Sequence, residues 1–157
     1  MNIFDADISK LKVLLLLRDN IEKHISTYIN GIIFDKNVIK KYTMYPMGTY
    51  FQIICANPQG TVVTYRYPCV DELPPEISFI GNIHTFLVGM VFRINILLGN
   101  LNDKTVGTKI SSKNSNNTGR IERILVSPSS GIEFLVIVTD GSSYVSYENF
   151  IKDWDIV

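Results

Sequence analysis

The sequence predicts an α+β fold in which a helical segment, a β-hairpin and an apolar helix precede a small antiparallel barrel. Apolar residues recur at helical spacing in residues 8–29 and 83–98. The period changes to two in residues 49–67, and short apolar runs alternate with turn residues in the last third. We therefore expect two domains, residues 1–103 with a self-association surface and residues 104–157.

The composition is that of a folded, electrically neutral chain. Of its 157 residues, 46% are apolar and 19% charged, with 15 Lys and Arg against 15 Asp and Glu. This apolar content excludes intrinsic disorder. A net charge of zero removes the field that steers proteins onto nucleic acid or anionic membranes, and also the repulsion that keeps copies apart. We expect a homo-oligomer.

The sequence also predicts a compartment. The first seven residues lack the basic segment of a signal peptide, so we expect a cytoplasmic protein, in the host cytoplasm if it is viral. Cys55 and Cys69 are then expected to be reduced. Residues 79–101 are the most apolar, but they include Arg93 and other polar residues that are costly inside a bilayer, so we expect no membrane span. The abundance of Ile, Asn and Lys suggests an AT-rich genome, as in a phage or a low-GC bacterium.

The first predicted element is a helix over residues 8–29. Asp7 is a suitable N-cap and Gly31 a suitable C-cap. Two alternatives remain open: residues 13–17 as a buried strand, and Asn30-Gly31 as a hairpin turn. A short second helix is predicted for residues 36–42.

A β-hairpin follows. Residues 49–56 and 61–67 flank Asn57-Pro-Gln-Gly60, whose residue types suit a type I turn. Pro68 ends the hairpin because proline cannot donate a hydrogen bond to a neighbouring strand.

The next predicted element is a helix over residues 83–98. Asn82 is the predicted cap and Gly99-Asn100 the predicted stop. A helix that is apolar nearly all round must be covered on more than one side. The alternative is two strands, residues 85–91 and 92–98. Residues 102–104 are predicted to be a linker.

The last third predicts a barrel of short strands. Residues 132–138 form a continuous apolar run that suits a strand buried on both faces, and Asp140-Gly141 suits a type I′ hairpin turn. Around them we predict strands at 106–110, from Gly119, at 144–147 and at 154–157, a polar loop at 111–118, a turn at 127–131 and one helical turn at 148–152.

This order resembles the small SH3-like barrels of the KOW and Tudor type, and the C-terminal parts of small accessory proteins of tailed phages. The resemblance rests on Thr118-Gly-Arg-Ile121, the Asp140-Gly141 turn, Glu148-Asn-Phe150 and Trp154. It implies a barrel that binds RNA, peptides or methylated side chains, or that holds partners together; fold alone does not choose between these roles.

The sequence contains no recognisable catalytic set. His24 and His84 are the only histidines, and we expect both to be structural or surface residues. His24-Ile-Ser26 matches half of a phosphodiesterase signature that requires a second copy. Sequence motifs for nucleophilic, metal or nucleotide chemistry are absent. We therefore predict a non-enzymatic protein with no metal and no cofactor.

The strongest functional signal is aromatic and basic. We predict that Tyr50, Tyr65, Arg66 and Tyr67 of the hairpin, with Arg93 of the apolar helix, bind a ligand or partner, because tyrosines beside arginine are typical of recognition surfaces. Because side chains alternate between the two faces of a strand, these tyrosines could instead lie on the inner face and simply cover the core. The predicted function is that of a phage-type protein that binds and inhibits or sequesters a host factor, either a protein or a small, anionic, nucleotide-like ligand.

The alternative function is nucleic-acid binding by the start of the barrel. Basic residues cluster there and could follow a phosphate backbone; they are Lys109, Lys113, Arg120 and Arg123. The same cations could instead pair with the acidic end of the barrel in a neighbouring copy, or remain solvated.

Overall fold

Long helices and two antiparallel sheets make up the structure, a computed structural model that describes residues 5–45, 50–69, 72–127 and 131–157. The predicted α+β class is confirmed. The chain divides into two compact units: unit 1 holds residues 1–13 and 95–157, and unit 2 holds residues 14–94. The boundary predicted between residues 103 and 104 lies inside a helix.

Helix α1 spans Asp5–Ile29, so the predicted helix is confirmed and the strand alternative for residues 13–17 is wrong. It starts before Asp7, which lies in its first turn rather than at the cap. Gly31 has φ of +91° and lets the chain leave the helix. The Asn30-Gly31 hairpin alternative is wrong because residues 26–29 are helical.

The short helix predicted for residues 36–42 is wrong. Strands β1 (Ile33–Phe34) and β2 (Asn37–Met44) form a hairpin instead. Its two central residues, Asp35 and Lys36, have φ of +49° and +66°, as a type I′ turn requires. Neither is glycine, so the turn carries no glycine signal in the sequence.

The predicted central hairpin is confirmed as β3 (Tyr50–Ala56) and β4 (Val62–Pro68), and the four strands pair in the order β1-β2-β3-β4. The side chain of Asn57 accepts hydrogen bonds from the backbone N–H groups of Gln59 and Thr61 and so holds the turn. The core of unit 2 lies on one face of this sheet, where Ile25, Ile29, Phe34, Ile39, Tyr42, Phe51, Ile53, Ile77 and Leu87 are buried together.

A 3₁₀ helix, Pro75–Ile80, leads directly into helix α2, Gly81–Thr105. The predicted helix is confirmed and its two-strand alternative is wrong, but Gly99-Asn100 does not stop it and residues 102–104 are not a linker. The helix continues because Leu101 and Thr105 are fully buried. Asn102 also donates to the carbonyl of Ile124 (2.9 Å) and accepts from its N–H (2.6 Å), which fastens the helix end within unit 1.

Unit 1 contains a curled sheet of five antiparallel strands. They are β5 (Lys109–Ser112), β6 (Thr118–Ser127), β7 (Gly131–Val138), β8 (Gly141–Ser146) and β9 (Trp154–Ile156), in the order β8-β7-β6-β5-β9. The strand predicted for residues 106–110 begins later, at Lys109. Part of the predicted turn at residues 127–131 lies outside the described residues.

Two details of the predicted barrel are wrong. Residues 132–138 are not buried on both faces, because Ile132, Phe134 and Val136 are buried while alternate residues are only half-buried. The β7–β8 turn is centred on Thr139-Asp140, since Val138 pairs with Gly141. Helix α3, Tyr147–Asp153, is capped by the Ser146 hydroxyl and confirms the predicted helical turn.

Within the described residues, one helical segment, Pro75–Thr105, is long and apolar enough to cross a membrane by length and composition. Leu87, Val91, Ile94 and Leu98 of this segment are buried in the protein interior. An apolar helix of this kind is also found in the core of soluble proteins.

The sheet of unit 1 depends on Gly119. A Cβ atom at this position would lie 2.3 Å from the carbonyl oxygen of Ile137 in the neighbouring strand. We predict that Gly119→Ala lowers the free energy of unfolding by about 1–3 kcal/mol, the usual cost of overpacking. Urea unfolding followed by circular dichroism measures this change.

Gly99→Ala is the matched control, because Gly99 lies in the interior of α2 and a Cβ there meets no atom within 4 Å. Alanine at an open helix position is expected to stabilise by about 0.5–1 kcal/mol. Equal unfolding midpoints for Gly119→Ala and the unmodified protein would contradict the prediction.

Candidate functional site

The strand register of unit 2 divides the predicted binding residues between the two faces of the sheet. Tyr65 pairs with Ile53 and Tyr67 pairs with Phe51, so both tyrosines lie on the inner face with the core. Arg66 is exposed on the opposite, outer face. The predicted set therefore does not form one surface.

The two inner-face tyrosines have structural contacts. Tyr65 donates to the carboxylate of Asp35 (2.8 Å) and accepts from the side chain of Asn37 (2.8 Å), which secures the β1–β2 turn. Tyr67 stacks on Phe51 with ring centroids 5.2 Å apart. Arg93, the remaining predicted residue, is exposed on α2 rather than on the sheet.

The outer face carries a polar and aromatic group that we call the outer-face cluster: Thr43, Tyr45, Tyr50, Gln52 and Arg66. The Arg66 guanidinium lies over the Tyr50 ring at 5.3 Å, a cation–π contact. The Tyr50 and Tyr45 rings are 4.1 Å apart, and their hydrogen bond raises the pKa of Tyr50. Among the described residues, no carboxylate forms an ion pair with Arg66.

Two polar atoms of this cluster have no hydrogen-bond partner among the residues that the structure describes. Thr43, Gln52 and Arg66 lie side by side on neighbouring strands. The Gln52 side-chain oxygen and the Thr43 hydroxyl are buried and unpartnered. A buried unpaired polar group costs about 1–3 kcal/mol, so a ligand that bonds these atoms would recover that energy. Sequence reasoning missed both residues, because only the cross-strand register brings them beside Arg66.

Helix α1 closes the open edge of β2 through two side chains. Ser26 Oγ accepts from the N–H of Tyr42 (2.9 Å) and donates to its carbonyl (3.1 Å). Glu22 Oε1 accepts from the N–H of Met44 (2.9 Å) and lies 3.8 Å from Arg18 Nε. Burial raises the pKa of Glu22 to about 7, although the Met44 N–H and Arg18 both favour the carboxylate.

The Tyr42 phenol in turn fixes His84 of α2. The phenol oxygen lies 2.5 Å from His84 Nδ1, and the imidazole also packs edge-on against Phe51, with ring centroids 4.7 Å apart. His84 is only 6% exposed, and its Nε2 is buried without a partner in the described part of the chain. His84 therefore has a fixed orientation, as expected for a structural histidine, but one polar atom remains unsatisfied.

The predicted nucleic-acid residues lie in unit 1 and differ in their surroundings. Lys109 and Arg120 are directly opposite each other on β5 and β6 and both line a cavity of ≈ 590 Å³. Arg120 also lies 3.7 Å from Glu122, and Lys113 lies 3.7 Å from Asp155. Arg123 is exposed on β6. Two of the four cations thus have carboxylate partners.

The cysteines are both free thiols, and burial raises the pKa of each. In the part of the chain that the structure describes, no three His, Cys, Asp or Glu residues are grouped so that they could hold a metal ion.

The raised pKa of Glu22 predicts a pH-dependent stability. The folded protein retains the Glu22 proton up to about pH 7, whereas the unfolded chain releases it near pH 4.5. Because the folded state binds more protons at Glu22 in this window, Glu22 lowers the free energy of unfolding as pH rises from 4.5 to 7, by up to about 3 kcal/mol. The lowered pKa of His84 acts in the opposite direction, so the Glu22 contribution is the difference between the unmodified protein and a Glu22 variant. Urea unfolding across this range measures the fall.

Glu22→Gln keeps an oxygen that can accept from the Met44 N–H but does not titrate, so this variant should lose most of the fall. Glu148→Gln removes a carboxylate whose side chain is 67% exposed and should leave the fall unchanged. The same pH dependence in Glu22→Gln as in the unmodified protein would contradict the assignment.

Comparisons with protein-family models, with curated proteins and with solved structures give no match to this chain.

Proposed function

We propose that the protein is a non-enzymatic, phage-type binding protein whose outer-face cluster captures an acidic host protein and blocks or sequesters it. The observation that carries the proposal is the Arg66–Tyr50–Tyr45 stack beside the unpaired oxygen of Gln52. Arginine and tyrosine are the residue types that most often dominate binding energy at protein interfaces.

The chemistry of the cluster favours a partner with a carboxylate next to a hydrogen-bond donor. Arg66 offers a planar fork that suits a carboxylate. Stacking on Tyr50 limits the motion of the guanidinium, so less entropy is lost when a partner binds. The Gln52 oxygen, at the adjacent position, can accept a hydrogen bond from the partner. Together the two residues select a partner that presents a carboxylate next to a hydrogen-bond donor.

A protein partner is favoured over a small nucleotide-like ligand. The cluster lies on the face of a sheet, and the Tyr45 and Tyr50 rings already stack on each other. A flat ligand therefore cannot insert between these two rings. Small ligands are usually held in concave sites that bury most of their surface. A sheet face with an aromatic and arginine centre suits a broader contact.

The order of strands in unit 1 supports the proposed SH3-like barrel. Strand β5 pairs with both β6 and β9, and the short helix α3 stands between β8 and β9. In our proposal the protein acts in the cytoplasm of the host cell.

We also propose that the protein forms a homodimer through the helices of unit 2. Tyr28, Phe79 and Phe86 are 63%, 60% and 54% exposed, and Phe86 shares an apolar cavity of ≈ 490 Å³ with Ile21 and Ile83. At about 200 Å² for a whole aromatic side chain, these three expose about 350 Å². That is nearly half of the roughly 800 Å² that each partner contributes to a standard interface.

Nucleic-acid binding by unit 1 is the second candidate. It is favoured by Lys109 and Arg120, like charges placed directly opposite each other at the rim of a cavity. The two cations repel each other across the strands, although Arg120 also lies 3.7 Å from Glu122, and a bound phosphate between them would relieve that repulsion.

The outer-face proposal predicts a specific loss of binding. Tagged protein purified from its own host should carry a partner that mass spectrometry identifies and whose affinity is then measured with purified components. Arg66→Ala is expected to weaken that affinity at least tenfold, because it removes the cation and leaves the partner's carboxylate unpaired. Tyr50→Ala should act in the same direction.

Thr64→Ala is the matched control, since Thr64 is exposed on the same strand and the same face. Unchanged affinity in folded Arg66→Ala protein would refute the outer-face proposal. If nuclease treatment removes the bound material and Lys109→Glu with Arg120→Glu prevents its binding, the second candidate is correct instead.

The dimer proposal predicts a mass of twice 17.8 kDa by light scattering. Phe86→Glu should give a monomer, because the charge would be buried in the interface. Ile33→Glu changes a residue that is equally exposed, at 59%, on a different element and should leave the dimer intact. A monomeric unmodified protein would disprove self-association.

A further inference from the structure

A cavity of ≈ 590 Å³ lies beside His84 on unit 2. Its walls come from the end of β4, the 3₁₀ helix and the first half of α2. Leu73, Val88 and the Cys69 thiol make them largely apolar, while Glu72 and Thr85 add polar groups. The volume is within the range of small-molecule sites.

His84 lines this cavity, and its imidazole is held in place by the Tyr42 phenol. Tyr42 is fully buried, and burial raises its pKa far above the usual range, so its phenol keeps its proton. The phenol therefore donates to His84 Nδ1, which must be the unprotonated nitrogen. The remaining proton of the neutral ring is on Nε2, which is buried and has no partner among the described residues.

We infer that this cavity binds a small, uncharged carbonyl compound whose oxygen accepts a hydrogen bond from His84 Nε2–H. An orphaned donor inside a protein costs about 1–3 kcal/mol, and a ligand oxygen removes that cost. Tyr42 and Phe51 already fix the orientation of the ring, so binding requires only that the side chains covering Nε2 move aside. This site lies apart from the outer-face cluster and goes beyond the proposed function.

The surroundings of His84 select against charged ligands. Burial lowers the pKa of His84, so the ring is neutral at pH 7 and offers no positive charge to an anion. Glu72 lines the cavity and repels a carboxylate or a phosphate. The apolar walls favour a hydrocarbon body, which leaves a single oxygen acceptor as the polar feature to be recognised.

Three probes of similar shape test the inference: acetophenone, benzoate and ethylbenzene. The chain has only two histidines, so ¹⁵N-histidine labelling gives separate side-chain signals for His84 and His24. His84 should be the Nε2–H tautomer at pH 7. Acetophenone should shift its Nε2 signal with a Kd on the order of 1–10 mM, as expected for nine heavy atoms, and should bind at least tenfold more tightly than benzoate or ethylbenzene.

Thr85→Phe should abolish the acetophenone shift, because a ring at this exposed position fills the cavity without altering the core. Asn82→Phe, at an exposed position of the same helix, and Arg66→Ala, on the outer face, should leave it unchanged. The inference is overturned if acetophenone does not move the His84 signal at about 10 mM, if the three probes bind alike, if the ring is the Nδ1–H tautomer, or if Thr85→Phe binds normally.

Discussion

The structure of unit 2 depends on how α1 closes the exposed edge of β2. Ser26 and Glu22 are four residues apart on the helix, a rise of about 6 Å, and they bond Tyr42 and Met44, two residues apart on the strand at about 6.6 Å. The match satisfies backbone groups that would otherwise be buried without partners or open to another chain. It also fixes the position of Tyr42, from which the phenol reaches His84 in α2.

The same register positions the residues of both proposed binding sites. Tyr42 pairs with Ile53 on the inner face, and the next row, Thr43 with Gln52, faces outward beside Arg66. A shift of β2 by one residue would turn Thr43 inward and Tyr42 outward, away from His84. The anchoring of β2 by α1 therefore also maintains the outer-face cluster, although neither helix residue touches it.

Local patterns predicted the elements with clear periodicity, and tertiary partners decided the rest. The β3–β4 hairpin and both long helices follow from spacing alone. Strand β2 was not predictable because a bulge between Ile39 and Lys41 interrupts its alternation and places Lys40 and Lys41 together at the surface. Likewise, Asn102 is typical of a linker when only the sequence is considered. Its hydrogen bond to Ile124, 22 residues away, is visible only in the fold. Of the candidate site, Tyr50 and Arg66 carry a sequence signal, whereas Gln52, Thr43 and the Tyr42–His84 pair require the fold.

The two faces of the sheet differ in what they can recognise, and the cause is the dielectric environment. On the inner side, burial keeps the Tyr42 phenol protonated and His84 neutral, so hydrogen-bond geometry, shape and the nearby Glu72 carboxylate can discriminate between ligands. On the outer side, Arg66 remains charged and near solvent, so charge complementarity with a partner can act. The cationic cluster thus lies on the outer face of the sheet and the His84 ring packs on the inner face, and a change that alters one side without moving β2 should leave the other intact.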